Sequence, residues 1–265
     1  MASYLGKNLI HQMDSLTVQP NCLAMWGLGQ MGLAVKIPSV ADKFTRAFPA
    51  PLKPEEITNT SYVLCSHEHL DHTDPFTLAP LTKASPQAKF ITSGWAKDLL
   101  DEAGIALERR IVPQYGKPLD LDGIKISVIP AAHDEIECEP SRGFRFLSFQ
   151  IDCGGVRLFH SGDTCVNKEY LTHLHTLPSA DVALVAANGR DEYRKSLDVL
   201  GNLHPVEVVW LAKEMGWDIV IGGHNDLFEW NTISAGSLSD AVHQYNPRQK
   251  YRCQLQPGEL FYYVK

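Results

Sequence analysis

Hydrophobic and polar positions alternate in short blocks along this chain, and blocks typical of strands are interspersed with blocks typical of helices. In residues 144–163, FRFLSFQIDCGGVRLFHSGD, two alternating runs are joined at Gly154 and Gly155, which predicts a β-hairpin. Strands predominate, so the pattern favours sheet layers covered by helices over a doubly wound parallel sheet. Further strands are predicted from apolar runs at 61–65, around 109–113, and at 124–130, 181–187 and 218–223.

Capping residues mark three predicted helices. Asp74 followed by Pro75 predicts a helix start, because aspartate caps a helix and proline fits its first turn. A serine N-cap opens the predicted helix at 93–104, and a glycine stops it. Residues 205–216 begin with proline, end with glycine and carry an apolar stripe at helical spacing. The stripe consists of Val208, Leu211, Ala212 and Met215.

A glycine-rich segment near the N-terminus matches a dinucleotide-binding fingerprint but lacks its context. Gly27, Gly29 and Gly32 spell G-x-G-x-x-G, which binds a dinucleotide where a helix directly follows. Here the strand-like run LAVKIP follows and ends at Pro38, so no helix N-terminus is available for a pyrophosphate. We interpret residues 22–38 as two short strands around a tight turn.

Composition limits the class of protein. Of 265 residues, 44% are hydrophobic and 21% are charged, which is typical of a globular protein, and we expect one domain over residues 1–265. The formal charge of −7 argues against binding of long nucleic acids. No apolar run approaches the roughly 18 residues of a membrane helix. The N-terminus has neither a secretory nor a transit pattern, so we expect a cytoplasmic protein. The six separate cysteines, Cys165 included, are interpreted as reduced thiols.

The segment SHEHLDH contains a dense cluster of metal-binding residue types. His67 and His69 are two positions apart, so in an extended segment both side chains point the same way and can bind one ion. Asp71 and His72 fall where the chain turns toward the helix start at Asp74, and can reach a second ion. Imidazole and carboxylate donors together suit Zn²⁺, Mn²⁺ or iron.

Three further candidate ligands stand at the ends of predicted strands. His133 ends ISVIPAAH, Asp163 lies in HSGDT after the hairpin, and His224 closes DIVIGG. Taken alone, a polar residue at a strand end is more often a cap or turn residue. Beside the histidine cluster, we interpret all three as metal ligands.

The series HxHxDH, His, Asp, His resembles the metallo-β-lactamase-fold hydrolase superfamily and, within it, the branch around L-ascorbate-6-phosphate lactonase. The resemblance extends over WGLGQMGLAVK, SHEHLDH, LFHSGDT, DVALVAANGR and EVVWLAKEMGWDIVIGGHNDLF. It implies an α/β fold, a four-layer αββα sandwich with metal ions at one edge of its two sheets. It also implies a hydrolase that opens a lactone or cleaves an ester of a small anionic, sugar-phosphate-like substrate.

The resemblance implies a role for each candidate ligand. One ion would be bound by His67, His69 and His133, a second by Asp71, His72 and His224, and Asp163 would bridge the two. A water shared by the ions would lose a proton near neutral pH and attack the substrate. Asp71 would orient that nucleophile, and His224 is the second candidate catalytic residue.

Candidates on the substrate side are less distinctive. Asn188 and Arg190 resemble a phosphate-proximal loop of the lactonase branch, and we expect them to contact the substrate; a surface turn is the alternative. Arg142 and Arg145 either flank the same mouth or are ordinary loop charges, and His160 either supports the bridging aspartate or is a core histidine. Asp134 and Asn225 are candidates for supporting the ligand next to each.

Two other functions stay open on the sequence alone. The same site could serve a phosphodiesterase acting on nucleotides or RNA ends, or a metal-binding sensor without turnover. We expect two divalent ions per chain, Mn²⁺ or Zn²⁺ with iron as a further option, because availability often decides which ion is loaded. The expected partners are a small anionic substrate and further copies of this chain, with neither long nucleic acid nor membrane.

Overall fold

The structure is a computed structural model that describes residues 5–18, 21–26 and 46–265. Within these residues, the strands are β1 (Cys22–Trp26), β2 (Tyr62–Cys65), β3 (Lys89–Thr92), β4 (Arg110–Ile111), β5 (Leu119–Leu121), β6 (Ile124–Pro130), β7 (Cys138–Glu139), β8 (Gly143–Phe144), β9 (Leu147–Cys153), β10 (Val156–His160), β11 (Val182–Ala186), β12 (Ile219–Gly223), β13 (Lys250–Arg252) and β14 (Leu260–Val264). The α-helices are α1 (Lys7–Ser15), α2 (Pro75–Ala84), α3 (Lys97–Glu102), α4 (Lys168–Leu174), α5 (Glu192–Ser196), α6 (Pro205–Met215) and α7 (Gly236–Tyr245).

Seven of the described strands form one sheet in the order β13-β12-β11-β10-β9-β6-β5. Strands β10 to β13 run parallel, and β9 pairs antiparallel with both β10 and β6. Strand β6 therefore runs in the same direction as β10, β11 and β12, so the carboxyl ends of these four strands meet at one edge. A second sheet contains the parallel strands β2, β3 and β4, and β1 pairs with β14.

The buried side chains define four layers. Ile91 of β3 packs with Val128 of β6 and with Phe149 of β9, which places the two sheets face to face. The next residue along β3, Phe90, points to the opposite face, where it joins the core under α2 and α3. On the outer face of the seven-stranded sheet, Val185 belongs to a core that α6 and α7 cover. The predicted four-layer αββα sandwich is confirmed.

Most of the predicted elements are confirmed. The hairpin turns at Gly154 and Gly155, α2 begins after an Asp74 cap that accepts two backbone N–H groups, and α6 ends at Gly216 in the left-handed conformation. The helix predicted at 93–104 differs, because a 3₁₀ turn at Gly94–Ala96 precedes α3. That turn separates Ser93 from the first α-helical residues, so its hydroxyl makes no capping hydrogen bond, and the prediction of a serine cap is wrong.

The glycine-rich segment can be assessed only at its beginning. Strand β1 confirms the first of the two strands predicted in residues 22–38. Gly27, Gly29, Gly32 and Pro38 lie outside the described residues. Among the helices that the structure describes, none is long and apolar enough to cross a membrane.

Candidate metal centre

Four loops reach the same edge of the sandwich. One follows β2 and carries the histidine cluster, and three shorter loops follow β6, β10 and β12. The backbone N–H of Leu147 donates to the carbonyl of Ser66 over 3.0 Å and joins the two sheets at this edge. The structure brings together all seven side chains that the sequence analysis interpreted as ligands: His67, His69, Asp71, His72, His133, Asp163 and His224.

Three histidines form one part of the centre. Ligand-type atoms of His67, His69 and His133, which we call the three-histidine group, lie within 4.8 Å of one another. The Phe146 ring packs against all three imidazoles, with ring centroids 4.9, 5.7 and 5.2 Å apart respectively. His67 and His133 are buried, so this part of the centre has an apolar flank.

The second part contains a carboxylate. Ligand-type atoms of Asp71, His72 and His224, the carboxylate-rich group, also lie within 4.8 Å of one another. The Nε2 atoms of His72 and His224 are 3.2 Å apart, and Asp71 Oδ2 is 3.3 Å from His224 Nε2. Three ligand atoms therefore converge on one small volume.

Asp163 lies between the two groups. Its carboxylate oxygens are 3.2 Å from His72 Nε2, 3.1 Å from His224 Nε2 and 3.8 Å from His133 Nε2. His67, His72 and Asp163 form a third set of atoms within 4.8 Å. One carboxylate is thus placed to contact two neighbouring cations.

The donor atoms fit divalent metal ions. Ser66 Oγ is 2.9 Å from His67 Nδ1 and 3.0 Å from His72 Nδ1. A hydroxyl oxygen has two lone pairs and can accept from both Nδ1–H groups, which leaves both Nε2 atoms with lone pairs. The buried His67 Nε2 has no hydrogen-bond partner among the described residues. Such a buried lone pair is costly unless it binds a proton donor or a cation.

The two groups differ in their electrostatics. Burial lowers the pKa of His133 to about 4, so this imidazole is neutral and its lone pair is free at neutral pH. Burial acts in the same direction on His224, but the negative charges of Asp163 and Asp71 outweigh it and raise the pKa of His224 to about 10. His72 shifts upward for the same reason, and its pKa lies above the ordinary value. In the carboxylate-rich group, protons and metal ions therefore compete for the same atoms.

His224 is held in an unusual backbone conformation. Its φ of +59° lies in the left-handed region, which a histidine adopts at an energetic cost. The next residue, Asn225, is bonded at both ends of its amide to the backbone of Ile233, at 2.9 and 3.1 Å. These two bonds support the loop that carries His224.

Glu68 and Arg145 form a brace that the sequence analysis did not identify. Glu68 lies between two histidines of the cluster, and Arg145 Nε donates to its carboxylate over 2.5 Å. The same guanidinium donates to Glu137 at 3.0 Å and lies 4.9 Å from the Phe146 ring centroid. Arg145 therefore contacts the side chain of Glu68, which lies between His67 and His69, and the Phe146 ring that packs against the three-histidine group.

The residues predicted to contact substrate have partners within the protein. Asn188 is fully buried, and its amide bonds to Asn231 at 2.9 Å and to Asn202 at 3.1 Å. Arg190 donates to both carboxylate oxygens of Glu207, at 2.6 and 2.7 Å. Neither is among the residues that converge on the centre, and their contact with substrate stays a prediction.

Four other candidates have simpler surroundings. His160 Nδ1 accepts the backbone N–H of Gly162, so His160 supports the loop that carries Asp163. Burial raises the pKa of the Cys165 thiol to about 11, and Cys165 is in none of the three ligand sets. Asp134 is exposed and 3.5 Å from Lys195 Nζ, while Arg142 lies over the Trp95 ring.

Sequence comparison places the chain in a known family. The profile of the beta-lactamase superfamily domain matches residues 36–225, which include every residue of the candidate metal centre, and the chain belongs to this family. The family assignment agrees with the four-layer fold and with the position of the centre at one edge of both sheets.

Individual proteins resemble different shares of the chain. A UPF0173 metal-dependent hydrolase of Thermococcus onnurineus is 31% identical over 150 residues, which are 56% of this chain and 63% of that protein. The solved structure of Igni18, a metallo hydrolase of Ignicoccus hospitalis, gives a TM-score of 0.66 at 18% identity and covers 91% of this chain and 98% of that one. The metallo-β-lactamase-fold protein YhfI of Bacillus subtilis gives 0.58 at 16% identity, with 79% of each chain covered. These two structures share the fold, and the aligned part spans less than two thirds of the Thermococcus relative.

Proposed function

We propose that this protein is a metal-dependent hydrolase that opens a lactone or cleaves an ester of a small anionic substrate. The observation that carries the proposal is the convergence of two ligand groups on a shared Asp163 carboxylate. The Thermococcus relative is a metal-dependent hydrolase by name, which supports the reaction class. The lactone or ester substrate rests on the resemblance to the ascorbate-phosphate lactonase branch.

The seven side chains would hold two divalent ions. The three-histidine group would bind one, the carboxylate-rich group a second, and Asp163 would contact both. When bound, such ions polarise a carbonyl oxygen and lower the pKa of water. Mn²⁺ and Zn²⁺ both suit this mixture of nitrogen and oxygen donors.

Asp71 is placed to handle the proton of an attacking water. Its side chain is 21% exposed, against 4% for Asp163, so it is the more accessible carboxylate of the centre. Burial would raise the pKa of Asp71, but His72 and His224 outweigh burial and hold it well below the usual range. The ionised carboxylate can accept a hydrogen bond from water and orient it toward a substrate. His224, 3.3 Å away, fixes the carboxylate and is the second residue of this step.

The direct test uses the metal-loaded protein and three substrates: L-ascorbate 6-phosphate, a simple neutral lactone and a generic phosphodiester. The ring-opened acid is followed by NMR, and bound metal is measured on the same samples. Metal-dependent opening of the phosphorylated lactone, lost in His224→Ala, is the expected result. His243→Ala, an exposed residue of α7, is the matched control and should retain the wild-type rate.

The alternative outcomes identify the competing functions. Turnover of the phosphodiester without lactone opening would make the protein a phosphodiesterase with the same centre. Bound metal without turnover of any substrate would favour a metal sensor.

A further inference from the structure

An open pocket, whose free space of about 280 Å³ includes bulk solvent, lies at the strand end that leads to His133. Its wall includes Pro130, the last residue of β6 and three positions before His133. It also includes Leu147, which follows Phe146 in the chain and bonds to the backbone of Ser66. The pocket and the three-histidine group are therefore built on the same strand ends.

The pocket lining is largely apolar, and its polar side chains are Ser93, Arg142 and Tyr115, whose hydroxyl is bonded to His173. Much of its lining consists of aliphatic and aromatic side chains such as Val128 and Phe144. Ser93 is only 2% exposed, and its hydroxyl has no hydrogen-bond partner among the described residues. Arg142 is the charged residue of the lining, and its side chain is 50% exposed. A buried hydroxyl without a partner is unfavourable, so a ligand that bonds to it would be favoured.

Three arginines were candidates for binding an anion, and they differ in how far their N–H groups are used. Arg145 is bonded to Glu68 and Glu137. Arg190 forms a two-pronged ion pair with Glu207 and is also bonded to a backbone carbonyl. The acidic group nearest to Arg142 in the described part of the chain is the half-exposed Glu139, at 3.6 Å. This distance is too long for a hydrogen bond, and an exposed ion pair of this kind contributes little, so an incoming anion can displace Glu139 from the Arg142 guanidinium.

Arg142 is positioned by an aromatic ring and by its backbone turn more than by its weak ion pair with Glu139. Its guanidinium carbon lies 5.0 Å from the centroid of the Trp95 ring, and stacking of this kind orders an arginine before it binds. The turn that carries Arg142 is seated on Gly94, where an added Cβ would stand 2.6 Å from the Arg142 carbonyl oxygen. A side chain at position 94 would therefore push this turn away.

We propose that this pocket binds the non-reacting end of the substrate, a short segment with an apolar edge that ends in a carboxylate or a phosphate. Arg142 binds the anionic group, and Ser93 offers a hydroxyl deeper in the pocket. The inference rests on the proposed hydrolase function, and it moves the predicted anion contact from Arg190 to Arg142.

The kinetic test compares three esters with the same leaving group and the same acyl chain, ending in a carboxylate, a phosphate or a neutral carboxamide. The measured quantity is the ratio of kcat/KM for each anionic ester to kcat/KM for the neutral one. Arg142→Ala should lower this ratio by about 10- to 100-fold, mainly through KM, because a charge-assisted hydrogen bond is lost. Arg142→Lys keeps the charge without the planar fork and should give an intermediate ratio.

The matched control is Arg157→Ala, which removes an arginine of similar exposure that faces Asp152 on the far part of the hairpin. Its ratio should equal that of the wild type. An unchanged ratio in Arg142→Ala, or an equal fall in Arg157→Ala, would overturn the proposal. Comparison of the kcat/KM ratios of the carboxylate ester and the phosphate ester shows which anion the pocket prefers.

A binding measurement keeps this inference separate from the proposed function. Calorimetric titration of the metal-loaded protein with glutarate and with glutaramide needs no turnover, and Arg142→Ala should weaken glutarate binding by about tenfold relative to wild type. Gly94→Ala should weaken it in the same direction, while a thermal melt checks that the variant is folded. If the wild type hydrolyses neither the esters nor the lactones, the proposed function fails. A glutarate affinity that does not depend on Arg142 would contradict the pocket proposal.

Discussion

The histidines in the two parts of the candidate metal centre lie in opposite electrostatic settings. The three-histidine group contains no carboxylate and lies against Phe146, and burial lowers the pKa of His133 to about 4. In the carboxylate-rich group, Asp163 and Asp71 overcome the effect of burial and raise the pKa of His224 to about 10. At neutral pH the first group offers free lone pairs, whereas the second must release protons when it binds a cation. The comparison predicts that the two groups respond differently to mutation and to pH.

Removal of the shared carboxylate should have the largest effect. Asp163 is within 3.8 Å of histidines in both groups, so Asp163→Asn should weaken both ion sites at once. We expect activity to fall on the order of 1,000-fold, since several kcal/mol of transition-state stabilisation depend on the bound ions. Metal content and rate are measured together, and Asp120→Asn, an exposed residue of β5, is the control. Retention of two ions by Asp163→Asn would show that this carboxylate does not bridge.

Substitution of one candidate ligand at a time should distinguish the ion site of the three-histidine group from that of the carboxylate-rich group. His69→Ala belongs to the three-histidine group and His72→Ala to the carboxylate-rich group, so each variant should lose about one ion per chain and keep the other. Titration with Co²⁺, followed by its visible absorption, reports each site by its own spectrum. Loss of both ions in both variants would mean that the two groups act as a single site.

The ligand positions could be predicted from the sequence because each follows a recognisable strand. His133, Asp163 and His224 stand directly after apolar runs that became β6, β10 and β12. The carboxyl ends of these three strands meet at one edge of the sheet, since β6 runs in the same direction as β10 and β12. Local periodicity predicted sheet layers covered by helices and the strand ends beside the centre, whereas the four-layer αββα order was implied by the resemblance to the metallo-β-lactamase-fold superfamily.

The supporting contacts could not be predicted because they join distant parts of the chain. Arg145 and Glu68 are 77 positions apart, and no local pattern pairs them. Ser66 stood beside the histidine motif, but its contact with two Nδ1 atoms depends on how the loop folds. Arg190 is paired with Glu207, 17 positions later at the start of α6, and this pair was not predicted from the sequence either. The spacing of residues along the sequence indicates which residue types lie near a site, but it does not indicate which residues they bond to.

The brace formed by Glu68 and Arg145 allows a test that should affect only the three-histidine group. Arg145→Met removes the contacts with Glu68 and Glu137 but keeps a side chain against Phe146. We expect affinity for the ion of the three-histidine group to fall by about 10- to 100-fold, as for other residues that orient metal ligands. The carboxylate-rich group should keep its affinity, which a general loss of stability would not explain. Arg157→Met is the control, and equal weakening of both sites would argue against a positioning role for Arg145.

The smallest expected effect is on the pH dependence of the stability of the metal-free protein. The stability contributions of the two groups change with pH in opposite directions. The pKa of His224 is raised from about 6.5 in the unfolded chain to about 10, so its stabilising contribution is complete below pH 6.5 and is lost as the pH rises toward 10. The pKa of His133 is lowered to about 4, so its contribution is complete above pH 6.5 and is lost as the pH falls toward 4. Urea midpoints of the metal-free protein should therefore fall on both sides of pH 6.5.

Matched variants assign each side of this profile to one group. His224→Gln should flatten the decline above pH 6.5, and His133→Gln should flatten the decline below it, each by about 1 kcal/mol per pH unit, or about 2–4 °C in Tm. Saturating metal should also remove the alkaline decline, because the ion then occupies the place of the proton on His224. If His133→Gln flattened the alkaline side instead, the electrostatic division between the two groups would be wrong.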